Sequence, residues 1–393
     1  MIASRFVILT LYFLGIFLQA GTYGLTFMLP KLFADFGADE KDVGRMLMVT
    51  AIATLISVYY SGHLSDRLGR MATLGLSGFA IALALFLFGW AKALGPMLVL
   101  ASALLGIGWS LFYALGPVVL TRITEPGERV RYFSLLSIFV MAGFGLSPVM
   151  AAVLENIGLD ISDAFFIMSA VCLFSGTLFW TLTTPIRELS LAKEEEPRSS
   201  LTLATVGRVF RSRGLVPVIM VCLGASIFAG MSNFQTVFAE AQGLNYADFF
   251  LAYTITVVIC RIFLTGFSGG KAPYAVIAAL QSVMCASILF FMVVDGNQPL
   301  YILVAILFGI GYGASYPILV AMAANDADDD LIPQTLQLFA LTYFIGIFGF
   351  PLVAGWLIVE QGTLSLLILI AILAAIEATM AAKRFFSNKM MQS

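Results

Sequence analysis

Two stretches of this 393-residue chain decide its fold, because they repeat each other. The first is GIGWSLFYALGPVV, residues 106–119, and the second is GIGYGASYPILVAM, residues 309–322. The two stretches begin 203 residues apart. At this offset the matched pairs include Trp109 and Tyr312, Tyr113 and Tyr316, Gly143 and Gly346, and Pro148 and Pro351. Several matches in order at one offset indicate an internal repeat. The chain is therefore predicted to consist of two related halves.

The composition around the repeat is that of a membrane protein. The chain is 60% hydrophobic and 11% charged, whereas a soluble domain carries about 25% charged residues. Apolar runs of 18 or more residues indicate transmembrane helices, and they lack the alternation of barrel strands. We therefore predict an all-α integral membrane protein. Its twelve segments are predicted at residues 5–30, 43–62, 71–91, 95–121, 131–155, 163–184, 214–240, 246–268, 273–294, 298–324, 332–358 and 362–382.

The repeat and the segments together predict the domain organisation. An N-terminal six-helix bundle spans residues 1–184, a linker spans 185–213, and a C-terminal six-helix bundle spans 214–393. The first apolar segment is expected to be retained rather than cleaved as a signal peptide, because the repeat needs this helix. Halves related by an axis along the membrane normal are a transporter architecture, with the site between them near the midplane.

Lysine and arginine residues predict the orientation of the segments. With both termini on one side, that side receives sixteen of the 21 Lys and Arg residues. The opposite side receives Lys31, Lys41, Arg45 and Lys92. Because positive charge accumulates on cytoplasmic loops, the termini and the linker are predicted to be cytoplasmic.

The stretch GHLSDRLGR, residues 62–70, lies on this basic side between segments two and three. It closely resembles the signature of the major facilitator superfamily: glycine, any residue, leucine, any residue, aspartate, arginine, any residue, glycine, arginine. GPVVLTRITEPGERVRYFSLLS and GFGLSP also resemble bacterial exporters and permeases of this superfamily. The resemblance covers nearly the whole chain. It implies a twelve-helix transporter of a bacterial-type inner membrane that works by alternating access.

The same resemblance implies that this loop latches the halves together on the cytoplasmic side. The implied gating residues are Gly62, Asp66, Arg67, Gly69 and Arg70. Two glycines would permit a tight turn, and the charged side chains would pair with groups on neighbouring helices. The alternative is a basic turn that only sets the topology. The second half departs from the pattern with GFSGGKAP, so the latch would be one-sided.

An acidic turn is the second candidate gate. Asp328, Asp329 and Asp330 lie just before Pro333, which suits the first turn of helix eleven. We hypothesise that this turn meets Arg67, Arg70 or the arginines of loop four–five when the cytoplasmic side is shut. The alternative is a solvated cluster that caps the helix.

The predicted pathway is aromatic and neutral polar. The resemblance implies that helices one, four, seven and ten line it, with two, five, eight and eleven beside them. Trp109 and Tyr113 share one helix face, as do Tyr312 and Tyr316, which predicts two facing aromatic walls rather than apolar filler. The candidate substrate-binding residues are Gln19, Tyr23, Trp109, Tyr113, Asn233, Gln235, Arg261, Tyr312, Tyr316, Gln337 and Tyr343.

Arg261 is the ionisable residue that interrupts the apolar run TVVICRIFLTG, residues 256–266. An ionisable residue inside a membrane segment is a functional candidate. It is predicted to lie about 10 Å from the cytoplasmic end of segment eight, and its counterpart in the first half is Ser57. It is therefore expected to hold substrate or form the inner gate. The alternative is an arginine that snorkels to the interface. Glu377 in segment twelve is interpreted as structural.

These features predict a secondary active transporter of a small organic solute. One pathway arginine without a pathway acid favours an organic anion, such as a carboxylate, or a neutral metabolite. The alternative is a proton-coupled exporter of drugs, sugars or metallophores. No nucleotide-binding loop or catalytic motif is present, so the chain is not expected to be an enzyme. It is expected to act as a monomer in the lipid bilayer, without cofactor, metal or nucleic acid, and a proton is the candidate coupling ion.

Overall fold

The computed structural model describes residues 5–124, 128–189, 202–264 and 270–392. Within them, twelve helices are long and apolar enough to cross a membrane, which confirms the predicted fold class. They are α1 (Arg5–Ala34), α2 (Glu40–Leu68), α3 (Arg70–Trp90), α4 (Pro96–Thr121), α5 (Arg131–Asn156), α6 (Ile161–Thr181), α7 (Leu215–Asn233), α8 (Tyr246–Phe263), α9 (Pro273–Phe291), α10 (Gln298–Asn325), α11 (Asp329–Gln361) and α12 (Thr363–Ser387).

Alternate helices therefore run in opposite directions, and the two faces of the bundle can be told apart. We call the face that carries Arg5 and the 62–70 stretch the basic face, and the opposite one the far face. Asp39 and Asn245 cap α2 and α8 at the far face with their side chains. Such caps satisfy N–H groups that a helix leaves without an internal partner.

The signature stretch differs locally from the expectation. Helix α2 continues through Gly62 and ends at Leu68, and α3 begins at Arg70. The turn therefore rests on one residue, Gly69, whose φ of +86° favours glycine. Gly62 is helical, and a Cβ added there would meet nothing within 4 Å. Only one of the two glycines thus serves the tight turn.

Packing inside each half follows the repeat. Helix α3 packs against α6 as α9 packs against α12, and α2 packs against α4 as α8 packs against α10. Gly143 of α5 approaches α1 so closely that a Cβ would lie 2.6 Å from the carbonyl oxygen of Phe17. Its repeat partner Gly346 approaches α7 in the same way, 2.6 Å from the carbonyl oxygen of Cys222. These positions admit only glycine without a backbone shift.

The two halves meet along two helix pairs. Helix α5 of the first half packs against α8 of the second, and α2 packs against α11. The repeat converts one pair into the other, so the interface has the same pseudo-symmetry as the halves. Residues 190–201 of the linker lie outside the described residues, and the proposed domain boundaries stay a prediction.

Polar contacts across this interface close the far face. Lys41 of α2 forms an ion pair with Glu360 of α11. Tyr246 of α8 donates a hydrogen bond to Glu155 of α5 at 2.6 Å, and Lys31 of α1 lies 2.6 Å from the same carboxylate. At the basic face, by contrast, the ion pair of Arg5 with Glu128 stays within the first half, and that of Arg384 with Asp326 within the second.

Candidate substrate cavity

A cavity of about 170 Å³ lies between the halves, on the basic-face side of the molecule's centre. Six helices line it: α1, α4 and α5 from the first half, and α8, α10 and α11 from the second. Its walls are mostly apolar and aromatic. The lining residues are Ile16, Phe112, Tyr113, Gly116, Pro117, Phe133, Leu136, Ser137, Val140, Met141, Phe144, Arg261, Tyr312, Tyr316 and Tyr343.

Arg261 supplies the charge of this lining. Its Nη1 donates a hydrogen bond to Oγ of Ser137 at 2.7 Å, and its guanidinium carbon lies 5.7 Å from the ring centroid of Tyr316, a cation–π distance. Arg261 belongs to α8 and Ser137 to α5, so the hydrogen bond crosses the interface between the halves. The side chain points into the cavity rather than toward lipid.

Arg261 lies close to the end of the described part of α8. The described helix ends at Phe263, two residues later, so Arg261 lies in its last turn. Residues 265–269, which include the first half of the glycine-rich GFSGGKAP stretch and the predicted segment end at Ser268, lie outside the described residues. The predicted distance of about 10 Å between Arg261 and the cytoplasmic end of segment eight therefore stays a prediction.

Three tyrosines form the wall beside Arg261. The phenolic oxygens of Tyr113 and Tyr316 are 2.5 Å apart. The ring of Tyr343 stacks on Tyr113 at a centroid distance of 5.8 Å and meets Tyr316 edge-on at 5.6 Å. Phenolic groups both donate and accept hydrogen bonds. The wall therefore offers polar atoms on an otherwise apolar surface.

An aromatic plug separates the cavity from the far face. It consists of Tyr23, Trp109, Phe144 and Phe348. Tyr23 stacks on Trp109 at 4.4 Å and contacts Phe348 of the other half edge-on at 5.6 Å. Tyr23 and Trp109 are each 1% exposed, so the structure places these two candidates behind the cavity wall.

The remaining candidates fall into two groups. Tyr312 lines the cavity and stacks on Phe228 at 4.7 Å. Four other polar candidates lie away from it, and three of them bond within their own half. Gln19 donates to Ser77 at 2.6 Å, Gln235 donates to Tyr301 at 2.6 Å, and Asn233 donates to the carbonyl oxygen of Ala229 at 3.0 Å. Gln337 is exposed.

The sequence did not single out α5 as a cavity wall. This helix contributes six lining residues, Phe133, Leu136, Ser137, Val140, Met141 and Phe144. Five of them are apolar and look like lipid-facing side chains. Ser137 is the exception, and its only sequence signal is a small hydroxyl in an apolar run, six residues before the close-packed Gly143.

The candidate gating residues are spread over the basic face. Asp330 pairs with Arg208 of the short linker helix Leu203–Val209 at 2.6 Å. Asp328, Asp329, Asp66 and Arg67 are exposed. Residues 125–127 of loop four–five lie outside the described residues, as do the side chains of Arg122 and Arg129. The predicted contact between the acidic turn and the basic loops stays a prediction.

Comparison with known proteins places the chain in a family. The sequence profile of the Major Facilitator Superfamily matches residues 11–351. The "Probable 4-methylmuconolactone transporter" of Cupriavidus pinatubonensis is 29% identical over 132 residues, 34% of this chain and 30% of that protein. The "Multidrug resistance protein MdtL" of Salmonella typhi is 22% identical over 245 residues, 62% of this chain and 61% of that protein. The chain thus matches less than two thirds of either relative.

Solved structures share the fold. The nucleoside transporter NupG, a D323A mutant, superimposes with a TM-score of 0.75 at 15% identity, covering 96% of this chain and 100% of that one. The human organic anion transporter MFSD10 gives 0.66 at 14% identity, with 96% and 100% covered. The profile match over most of the chain, together with the twelve-helix fold, shows that this chain belongs to the Major Facilitator Superfamily, as its sequence resemblance predicted.

Proposed function

We propose that this chain is a secondary active transporter that moves a small organic anion by alternating access. The observation that carries the proposal is the cavity between the halves, where Arg261 is the charged residue among the described lining residues and is surrounded by tyrosines. Ligand sites are typically apolar pockets with a few convergent polar groups. In transporters built from repeats, such sites lie at the interface between the repeats.

The conformation supports an inward-facing state. The far face is closed by the aromatic plug and by the pairing of Lys41 with Glu360. The excess of Lys and Arg on the basic face supports a cytoplasmic location for it, and we propose that both termini lie on that side of a bacterial-type inner membrane. The cavity therefore belongs to the cytoplasmic half of the pathway in this state.

The chemistry of the cavity favours an anion over a cation. A guanidinium presents five N–H donors in a planar fork that matches a carboxylate. None of the described lining residues is acidic, so an organic cation would meet the like charge of Arg261 without a counter-ion among them. A carboxylate beside Arg261 would also be within reach of tyrosine hydroxyls, which stabilise it further by hydrogen bonds.

The size of the cavity limits the solute. Its volume of about 170 Å³ is close to the roughly 150 Å³ apolar cavity that accommodates benzene in another protein. A carboxylate with a single-ring or shorter apolar body therefore fits this conformation. One relative, named as a probable 4-methylmuconolactone transporter, is consistent with a small organic solute.

Two polar contacts of the cavity cross between the halves, which suggests how binding couples to rocking. Arg261 in the second half bonds Ser137 in the first, and Tyr113 in the first bonds Tyr316 in the second. A bound carboxylate competes with Ser137 for the guanidinium. When the carboxylate binds, the direct hydrogen bond between Arg261 and Ser137 is lost, and the solute itself then bridges the two halves.

The alternative function is export of drugs, sugars or metallophores. The mostly apolar lining and the relatives named as multidrug resistance proteins favour it. It differs from the leading proposal in its ligands, because a drug site of this kind would accept cations or neutral solutes and would depend little on Arg261.

Thermal-shift titration of the purified protein separates the two. Benzoate, benzamide and benzylamine have similar size but carry negative, no and positive charge. We expect stabilisation by benzoate alone, reduced about tenfold or more in apparent affinity by Arg261→Gln, since a hydrogen bond to a charged group contributes about 1.5–3 kcal/mol. Arg45→Gln, at an exposed far-face arginine, serves as the matched control. Stabilisation only by benzylamine would overturn the anion proposal.

A further inference from the structure

A carboxyl group lies inside the second half, away from the substrate cavity. Glu377 of α12 is fully buried and lies ten residues before Ser387, roughly 15 Å along the helix. Its Oε1 accepts a hydrogen bond from Nε2 of Gln281 on α9 at 2.7 Å. A second cavity of about 10 Å³ adjoins both side chains, which is about the room that one water molecule needs.

Two polar atoms of this pair have no hydrogen-bond partner among the described residues: Oε2 of Glu377 and Oε1 of Gln281. Both are acceptors when Glu377 is ionised, so they cannot satisfy each other. If Oε2 carries a proton, it becomes a hydrogen-bond donor. The amide oxygen of Gln281 can then accept from it, while the amide nitrogen of the same side chain donates to Oε1 of Glu377. A protonated Glu377 therefore complements Gln281 in a way that an ionised one does not.

Among the described residues, the cavity beside Glu377 is lined without a counter-charge. Helix α7 presents Val221, Gly224 and Ala225 to it, and α9 presents Gln281. Helix α10 presents Ser315 and Leu319 together with two titratable residues, Tyr312 and Tyr316, which are neutral phenols. The acid of neighbouring α11, Glu360, pairs with Lys41 at the far face. Arg384, about two turns along α12, pairs with Asp326 at 3.0 Å.

An ionised carboxylate at this depth would be unpaired. Burying an ion without a partner costs several kcal/mol even after relaxation, and acids inside membrane segments are rare and usually functional. The neutral acid is therefore the form that this conformation stabilises.

Helix packing alone does not require the acid. The repeat places α3 and α6 in the first half where α9 and α12 lie in the second. There the contact is made by glycines, and a Cβ added to Gly78 would lie 2.6 Å from the Cα of Gly176. The same helix pair thus packs tightly in the first half without an ionisable residue, and at the repeat offset Gln281 stands where the first half has Gly78.

The small cavity connects the acid to the substrate site. Tyr312 and Tyr316 line both cavities, so α10 has Glu377 behind it and the proposed anion site in front. A change of charge on Glu377 would act on the helix that carries the tyrosine wall. Movement of α10 during rocking would in turn alter the exposure of Glu377.

We propose that Glu377 is a proton-binding site that couples proton uptake to the conformational cycle. In the inward-facing state Oε2 holds a proton that it has taken from water, and this O–H group donates to Gln281. When α10 moves, water reaches the acid and the proton leaves to it. The proposal rests on the alternating access proposed above, but it does not depend on the identity of the solute.

The test combines two measurements on the full chain in lipid nanodiscs between about pH 5 and about pH 9. Infrared difference spectra report the C=O stretch of a protonated carboxyl group. Spin labels on the basic faces of the two halves report their separation. We expect the wild type to show a carboxyl band that titrates together with a shift in the label distance. Glu377→Gln, which resembles the protonated form, should lose both the band and the pH-dependent shift.

Cys285→Ala is the matched control, because Cys285 contacts Ala371 across the same two helices without a carboxyl group, and it should behave as the wild type. If Glu377→Gln fails to fold, Gln281→Leu is used instead. In this variant the carboxyl band of Glu377 should appear at a different frequency from that of the wild type, because its hydrogen-bond partner is gone. A wild-type protein with no titrating carboxyl band, or a Glu377→Gln protein with an undiminished pH shift, would overturn the proposal. Loss of benzoate binding with an intact pH shift would instead count against the anion site alone.

Discussion

The phenolic oxygens of Tyr113 and Tyr316 lie 2.5 Å apart, although the two residues are 203 positions apart in the chain. This separation is the offset of the internal repeat. The two tyrosines are therefore equivalent positions of the two halves that meet on the pseudo-symmetry axis. A contact on the axis reports directly on how the halves are arranged, since any rocking motion separates the two oxygens.

Removing this hydrogen bond should shift the conformational balance. Tyr113→Phe and Tyr316→Phe each delete one hydroxyl, and each should destabilise the present state by about 0.5–1.5 kcal/mol. The double variant should show little further effect, because both changes remove the same bond. Distances between spin labels on the two halves measure the populations.

Tyr301→Phe is the control for this experiment. Its hydroxyl accepts a hydrogen bond from Gln235 within the second half, so its loss should leave the balance between conformations unchanged. Fully additive effects of Tyr113→Phe and Tyr316→Phe would contradict the direct bond.

The ion pair of Lys41 with Glu360 should hold the far face shut. Lys41→Gln should increase access of water-soluble thiol reagents to a cysteine placed on the far-face side of the aromatic plug. The expected effect is modest, about 0.2–1 kcal/mol, because the pair is partly exposed and screened by salt. The charge-swapped double variant, Lys41→Glu with Glu360→Lys, should restore the wild-type rate. No rescue by the swap would show that the pair itself is not responsible.

The acidic turn should favour the state in which the basic face is shut. Neutralising Asp328, Asp329 and Asp330 to asparagine removes the pairing of Asp330 with Arg208 seen here and also the predicted contacts with Arg67 or Arg70. Because the second set forms only in the shut state, the triple variant should raise cysteine accessibility at the basic face. Arg208→Gln is the comparison variant. It breaks the pair of Arg208 with Asp330 but leaves the predicted contacts of the aspartates with Arg67 or Arg70 in place. An unchanged inward/outward balance in the triple variant would refute the gate.

The close approach of α11 to α7 should make Gly346 sensitive to any added side chain. In Gly346→Ala the new Cβ would lie 2.6 Å from a backbone oxygen and 2.7 Å from the Cβ of Ala225. Forced overpacking costs typically about 1–3 kcal/mol, so the variant should unfold at a lower temperature in detergent. Gly207→Ala meets nothing within 4 Å and should be neutral or stabilising. Equal melting temperatures for Gly346→Ala and the wild type would show that the contact relaxes at no cost.

The sequence predicted the fold well, because hydropathy and the repeat are properties of every helix. The sequence also singled out Tyr113, Tyr316 and Tyr312, which line the cavity in the structure. The repeat made this possible because it requires equivalent positions to lie on equivalent helix faces. Arg261 was recognisable as a charge that breaks an apolar run. These signals are local or periodic, and a single sequence retains them.

The rest of the cavity depends on which helix faces which. Gln19 and Gln235 look like pathway residues, but their amides bond Ser77 and Tyr301 within one half, and such partners cannot be read from spacing. Conversely, α5 lines the cavity with side chains that resemble lipid-facing ones. The interpretation of Glu377 as structural also changes once its carboxyl group is seen beside Gln281 and behind the tyrosine wall.

Counterflow of radiolabelled benzoate in proteoliposomes tests the proposed function most directly. Vesicles loaded with unlabelled benzoate should accumulate the label through the wild-type protein and through Arg45→Gln. Arg261→Gln should reduce the initial rate about tenfold or more, and benzylamine should not compete. Equal accumulation through Arg261→Gln and the wild type, or counterflow of benzylamine but not benzoate, would contradict an anion site at Arg261.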